Sequence, residues 1–328
     1  MRKAVVIGLG SMGRRRIRLM QAMPDAPEVI GVDISADRRS AAEREFGIAT
    51  SPALEDLAVG GGLDCAFVCT SPLSHGEIAM RCLAAGMHVF TELNLHGDWY
   101  GAASAIAEER GLRLFLSSTF LYRKEIEYVV EAVGGRAVNY IYHSGQYLPD
   151  WHPWENFRDF FVADRRTNAC REILAIELPW MAKAFGEIES LSVMKGRDSS
   201  LGLDFDDNYM IAFRHSGGSK GIFCQDVISR KAVRRLEVYS ENLHVFWDGT
   251  PQSLMRYDLE GRELVHVPLY GEVSRQAGYG DSIVENAYAD EIKAFFDFID
   301  RGTSPRHTLD ADGRVLSLID EIEGVRHG

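Results

Sequence analysis

A chain of 328 residues, 46% hydrophobic and 26% charged, is long enough for two ordinary domains, each with its own core. Its formal charge of -12 argues against a phosphate-rich partner, so nucleic acid is excluded as a ligand class, and the Arg14-Arg15-Arg16 run is short and helical. No apolar run reaches the roughly 20 residues that span a bilayer, and the N-terminus starts on a strand without a signal-type cleavage region. The expectation is a cytoplasmic protein with no membrane partner. The cysteines Cys65, Cys69, Cys82, Cys170 and Cys224 lack CxxC spacing, which suggests neither disulfides nor zinc.

The first 120 residues alternate buried apolar runs with helical patterns. "KAVVIGLG", "EVIGVD", "DCAFVCTS", "HVFTEL" and "RLFLSS" read as strands; residues 11 to 22, 36 to 46, 74 to 85 and 98 to 110 read as helices. β-branched runs separated by amphipathic helices predict a doubly wound α/β domain of Rossmann type, whose ligands sit at the carboxyl ends of its parallel strands. From residue 121 to 328 the pattern changes. A helix at 123 to 133, a strand at 136 to 146, an aromatic segment and a helix at 168 to 185 precede alternating strands from 188 to 270. This predicts an α+β domain with an open, mainly antiparallel sheet and helices on one side. "NAYADEIKAFFDFIDRG" and "LDADGRVLSLIDEIEGV" are closing amphipathic helices, the second with Asp310 placed to cap it.

Gly8-Leu9-Gly10-Ser11-Met12-Gly13 follows the first strand and opens a helix, and Asp33 ends the second strand. Gly8 makes the tight turn, Gly10 lets the backbone approach a pyrophosphate, and Gly13 permits close helix packing. Ser11 and Met12 begin the helix whose N-terminus faces the phosphates. Asp33 suits the adenosine ribose hydroxyls and repels a 2'-phosphate, favouring NAD over NADP. Arg38 and Arg39 keep NADP open, and they also read as solvated helix charges. In the third strand's exit, Pro72 and Ser74 fit a turn and helix cap and His75 a first-turn residue.

"VCTSPLSHGEIAMRCLAAGMHVFTE" is similar to the Gfo/Idh/MocA family of NAD(P)-dependent oxidoreductases, which carry a strand-end Thr-x-Pro, a following His, and Ala-Gly-x-His-Val leading to Glu-Lys-Pro. Glu291, Phe295, Phe296, Gly302 and Asp312-Gly313 look like the closing helices of that family. The resemblance implies that Thr70, Ser71, Pro72 and His75 line the cofactor pocket, that Glu92 sits by the nicotinamide ribose with Asn94 also at the cofactor, and that Tyr122 and Arg123 lie where the chain enters the substrate domain. It also implies a homodimer or homotetramer built through the second sheet.

Two departures from the family pattern stand out. Where the family has Glu-Lys-Pro this chain reads Glu92-Leu93-Asn94, so the lysine that contacts substrate and assists proton movement is absent. On the substrate-domain helix the family pattern is an acid, a histidine four residues on and a further acid. Counting back from Phe185-Gly186-Glu187 puts Glu172, Ile176 and Pro179 at these places, while a slip of one residue puts Glu177 at the histidine position. Glu172, Glu177, His96 and His152 are then the candidates for carrying a proton. Against each stands a plainer role, such as Glu172 pairing Arg171 or His96 capping the next helix.

The segment from Tyr140 to Glu172 gathers aromatic and charged residues. Trp151 and Trp154 match the C–H faces of a sugar, while Arg165, Arg166 and Asn168 suit its hydroxyls or an acidic or nucleotide-linked group. The same composition fits a loop packed on its own domain or in a subunit interface. His143 and His152 lack metal-ligand spacing. The expected function is NAD-dependent hydride transfer on a carbohydrate or derivative. Two other readings stand beside it: a redox-neutral enzyme with tightly held NAD, of epimerase, lyase or glycosidase type, and a catalytically silent NAD or sugar binder.

Overall fold

The computed structural model describes residues 1–58, 62–151, 156–275 and 283–325. Chain contacts divide it into two units, Met1–Ser118 with Tyr288–Arg314, and Thr119–Ala287 with the chain from Val315 onward. The break falls at Ser118, two residues from the expected boundary at 120. The return of residues 288–314 to the first unit corrects the expectation that everything after residue 120 belongs to the second.

The first unit holds a six-stranded parallel sheet. Its strands are β1 (Lys3–Ile7), β2 (Glu28–Val32), β3 (Ala49–Ser51), β4 (Cys65–Val68), β5 (His88–Thr91) and β6 (Leu114–Leu116), in the order β3-β2-β1-β4-β5-β6. The helices are α1 (Ser11–Gln21), α2 (Ala36–Phe46), the short α3 (Glu55–Ala58), α4 (His75–Ala84) and α5 (Tyr100–Arg110). Every residue of β4 is buried, as a strand covered on both faces requires. Strand order reverses between β1 and β4, so the turns after Ile7 and Val68 share the carboxyl edge where such sheets bind ligands.

The returning helix is α8 (Glu285–Arg301), and it is held by rings and by charge. Phe295 packs against Phe67, Phe90 and Phe115 with ring centroids 5.4, 5.6 and 5.7 Å apart. Arg16, on the buried stripe of α1 with Gly13, Ile17 and Met20, is fully enclosed. Its Nε donates to Glu92 Oε1 at 2.6 Å, and its Nη2 donates to Glu92 Oε2 at 3.1 Å and to Glu291 Oε2 at 2.7 Å. The Ser118 backbone N–H and the Ser117 hydroxyl complete Glu291. Burial alone would lower the Arg16 pKa, but the charges of Glu92 and Glu291 outweigh it and raise it. Burial pushes the Glu291 carboxyl up, and Arg16 opposes that rise.

The second unit begins with α6 (Lys124–Val133) and contains α7 (Ala169–Phe185). Its sheet comprises β7 (Asn139–Gly145), β8 (Ile188–Gly196), β9 (Asn208–His215), β10 (Lys220–Asp226), β11 (Val233–Ser240), β12 (Leu243–Trp247), β13 (Met255–Asp258) and β14 (Glu263–His266). The order is β14-β13-β12-β11-β7-β10-β9-β8, antiparallel apart from the parallel β7–β10 pair. Period-two alternation sorts its faces. Tyr140, Tyr142, Phe223, Leu236 and Trp247 are buried, whereas Ile141, Ile222 and Met210 on the other face, and Met194 on β8, are exposed. The last helix is α9 (Leu309–Glu323), and its cap is Thr308, whose Oγ1 accepts the Ala311 N–H, rather than Asp310. Thr308 precedes the helix and can adopt a cap's extended backbone; Asp310 is already inside the first turn. No helix among the described residues is long and apolar enough to cross a membrane.

Replacing Arg16 by Met leaves two buried carboxylates without a counter-charge. This should lower unfolding stability by about 3–5 kcal/mol, and adding Glu92→Gln and Glu291→Gln should restore much of it. Denaturant melts of the single and triple variants check this. A single variant of unchanged midpoint would mean that the aromatic contacts alone hold the returning helix.

Candidate cofactor and proton-transfer site

In the first unit the glycines do three separate jobs. Gly8 sits at φ +94°, and a Cβ there would lie 2.6 Å from the Cys69 carbonyl oxygen. A Cβ on Gly13 would lie 1.9 Å from the Gly8 oxygen, so α1 and the turn touch backbone to backbone. Gly10 differs: a Cβ there would meet nothing within 4 Å and would project into open space. It N-caps α1 without a side-chain hydrogen bond, and no acid lies in that helix's first turn. The N-terminus over Ser11 and Met12 is thus an uncapped positive helix end beside a glycine with free space, which fits a pyrophosphate.

Asp33 is buried at the end of β2. Its Oδ2 accepts the Leu9 N–H at 2.8 Å and its Oδ1 the Ser35 N–H at 2.8 Å, so it clamps the glycine turn to β2. Remaining lone pairs are left for ribose hydroxyls. Arg39 donates to the backbone oxygens of Asp33 and Ile34. Arg38 is the exposed cation, with Nη1 3.8 Å from Asp33 Oδ2.

Past β4, Pro72 is buried and starts a short 3-10 turn; Ser71 is exposed. The Thr70 and Ser74 hydroxyls lie 2.8 Å apart, and Ser74 donates to the Ser71 oxygen instead of capping α4. His75 is buried, with Nε2 3.0 Å from the Thr70 carbonyl oxygen and Nδ1 3.0 Å from the Asn94 amide. Burial lowers the His75 pKa and favours the neutral ring, against the opposing hydrogen bond from Asn94. Both ring nitrogens thus face oxygens, Nδ1 the Asn94 Oδ1 and Nε2 the Thr70 carbonyl, and the Asn94 nitrogen donates to the Thr91 hydroxyl at 2.8 Å. Asn94 therefore ties the β5 exit to α4. Leu93 beside it is half-buried, and the His96 carbonyl accepts the Trp99 indole N–H at 3.0 Å. Glu92 is no solvated strand-end charge, since Arg16 takes both of its oxygens.

In the second unit, two carboxylates of α7 lie in opposite surroundings. Glu177 is completely buried and accepts from Tyr142 Oη at 2.8 Å, Trp180 Nε1 at 2.6 Å and Arg234 Nη2 at 2.7 Å. Glu172 is half-buried, yet its Oε2 is closed to solvent and has no hydrogen-bond partner among the described residues. Burial pushes its carboxyl up to about 7. Arg171 does not pair with it, being turned toward Asp320 and Glu323 of α9.

The remaining candidates on this unit are spread out. Asn168 caps α7, its Oδ1 accepting the Arg171 N–H at 2.8 Å and its amide nitrogen donating to Glu323 at 2.9 Å. Arg165 and Arg166 are exposed, and Arg166 pairs with Asp164 at 2.6 Å. Tyr122 and Arg123 are buried; Arg123 pairs with Glu125 at 2.9 Å and stacks over Trp247. The Trp151 indole donates to the Gln146 oxygen at 3.1 Å. His152 and Trp154 lie outside the described residues. Among the described residues no group of three or more His, Cys, Asp or Glu is placed to hold a metal ion.

Residues 2–116 match the model of an oxidoreductase family with an NAD-binding Rossmann fold, Gfo/Idh/MocA. No match to a curated protein was found at the sequence level. Among solved structures, this chain is similar to the UDP-N-acetylglucosamine 3-dehydrogenase GnnA of Acidithiobacillus ferrooxidans, at 18% identity and TM-score 0.77, over 98% of this chain and 97% of that one. An Agrobacterium radiobacter oxidoreductase solved with NAD+, L-tartaric acid and magnesium is similar at 12% identity and TM-score 0.83, over 98% and 96%. A levoglucosan dehydrogenase solved with NADH is similar at 16% and 0.81, over 98% and 95%. Identities this low speak to the fold of both units, while the family match covers the first. With its uncapped glycine turn and the acid at the end of β2, the segment 2–116 is an NAD-binding Rossmann domain of the kind found in the Gfo/Idh/MocA oxidoreductases.

Proposed function

We propose that this oxidoreductase moves a hydride between NAD and a hydroxyl-bearing carbon of a sugar or sugar derivative, and that Glu172 exchanges the hydroxyl proton. The observation that carries the proposal is the Glu172 carboxyl, whose Oε2 is closed to solvent and unpartnered among the described residues and whose pKa burial raises to about 7. NAD, when bound, supplies the hydride acceptor. The chain's own parts do the rest. The α1 N-terminus and Gly10 receive the pyrophosphate, Asp33 receives the adenosine ribose, and Glu172 in its ionised form takes a proton from the substrate. Leu93 supplies no proton at the place of the family lysine. Glu177, fully bonded to three donors, is a framework group. The sugar dehydrogenases among the similar structures support the substrate class.

We also propose a homo-oligomer built through the open face of the second sheet. There Ile141 and Ile222 are paired neighbours, as are Met194 and Met210, and these four side chains are 43–68% exposed. An exposed apolar set of this kind marks an association surface.

Activity in the oxidising direction should rise to a plateau with an apparent pKa near 7, set by Glu172. Glu172→Gln should cut kcat by about 10²–10⁴ and leave NAD affinity unchanged; a fully active variant excludes Glu172 as the proton carrier. The same group bears on stability. Its folded pKa of about 7 lies above its ordinary 4.5, so the folded chain holds a proton that the unfolded chain releases between those values. Stability therefore falls as pH rises through that window, by on the order of 1.4 kcal/mol per pKa unit. The Gln variant should lack this component in melts from pH 4 to pH 8, scanned in unit steps at about constant salt.

Asp33→Ala should weaken NAD binding and narrow the preference for NAD over NADP, because the exposed Arg38 would then lack its neighbouring carboxylate. Unchanged relative affinities in direct titrations would remove Asp33 from cofactor selection. Ile222→Glu should lower the solution mass measured by light scattering; an unaltered mass would move the interface elsewhere.

A further inference from the structure

We propose that Arg234 is a binding group for a carboxylate carried by the substrate, which makes the substrate a sugar acid. This rests on the sugar-oxidoreductase reading and narrows it. Arg234 lies on β11 on the same face as the buried Leu236 and Val238, which is the helix-covered face of the sheet. One side of its guanidinium is spent on the protein. Nε donates to Tyr142 Oη at 3.1 Å, and Nη2 donates to Glu177 Oε1 at 2.7 Å and more weakly to Ser144 Oγ at 3.5 Å. Its plane is set by Phe120, whose ring centroid lies 4.5 Å from the guanidinium carbon. The other side is open. These bonds use Nε and Nη2, leaving Nη1 without a partner among the described residues, and the side chain remains 20% exposed.

A cation anchored behind and open in front is preorganised for a ligand, because the rotamer freedom that binding would otherwise freeze is already lost. Its buried partner does not cancel it fully. The Glu177 bond engages only Nη2, and the Nη1 donors have no acceptor among the described residues. The surrounding sequence strengthens the field. Residues 230–235, Arg-Lys-Ala-Val-Arg-Arg, carry four cations and no acid in a chain of formal charge -12.

The geometry favours a carboxylate over a phosphate. A carboxylate monoanion can accept from the Nη1 N–H donors without a second cation. A phosphate near its second ionisation wants a further unpaired cation, and Arg123, the other guanidinium near the Phe120 ring, is committed to Glu125.

The test is calorimetric titration of NAD-loaded protein with three acids, D-glucuronate, D-galacturonate and D-gluconate. Their neutral counterparts D-glucose, D-galactose and D-glucitol, and D-glucose 6-phosphate, are titrated alongside. At least one acid should bind about tenfold or more tightly than its neutral counterpart, the increment expected of one charged hydrogen-bonded pair. Arg234→Gln should abolish the difference. That variant strands Glu177, so Arg234→Gln with Glu177→Gln is measured beside it, and loss in the folded double variant supports the proposal. Three results overturn it: acids no tighter than neutral sugars, a preference that survives both variants, or tighter binding of the phosphate. Neutral sugars bound without acid preference would sink Arg234 alone. Silence of all seven probes with NAD bound would remove the sugar reading and this proposal together.

Discussion

The enclosed Arg16 triad is the interaction on which the first unit's organisation depends. One guanidinium on the cofactor-binding helix holds the glutamate at the end of β5 and a glutamate of the returning helix α8. Desolvating three charges is expensive, and an apolar cluster would serve stability as well or better. Directionality is what an apolar cluster lacks. Arg16 lies three residues after Gly13, so the register of α1 against the strand ends is fixed next to the turn that receives the pyrophosphate. The same bonds close Glu92 to other partners, which makes that residue part of the scaffold under the cofactor site.

Asn94 shows how a departure from a family pattern can be structurally complete. Proline would fix the chain's exit from β5 through its ring; asparagine fixes it by side-chain hydrogen bonding to His75 and Thr91. Leu93 is a different kind of departure, since it brings no hydrogen-bonding group to the lysine's place, and the proposed proton transfer is therefore assigned to another element.

Much of the first unit was legible because its signals are local. A glycine turn between strand and helix, an acid at the next strand's end and all-apolar strands each follow from a few adjacent residues. The RRR run was legible only in part. Helical periodicity puts Arg16 on the Gly13, Ile17 and Met20 stripe, which marks it as buried, but its partners lie 76 and 275 residues away and leave no trace in spacing. The C-terminal return was hidden for the same reason, because Phe295 and Phe296 announce an apolar face without saying which sheet it covers. Arg234 was invisible altogether. Within "KAVRRLEV" it reads as one of two strand arginines, and the side on which each falls follows only from the burial of Leu236 and Val238.

Glu172 and Glu177 state the functional argument in miniature. They are five residues apart on one helix, which turns them to different sides, and the sequence offered both as proton carriers. Surroundings separate them. Glu177 receives an indole N–H, a phenol O–H and a guanidinium, so its acceptor sites are taken up by the protein. Glu172 has no such bonds at Oε2, and burial without compensation makes its charged and neutral forms nearly equal in free energy at neutral pH. A group that stabilises must favour one state; a group that exchanges protons must favour neither. By that criterion Glu177 belongs to the framework that holds Arg234, and Glu172 is the group on which the proposed proton transfer rests.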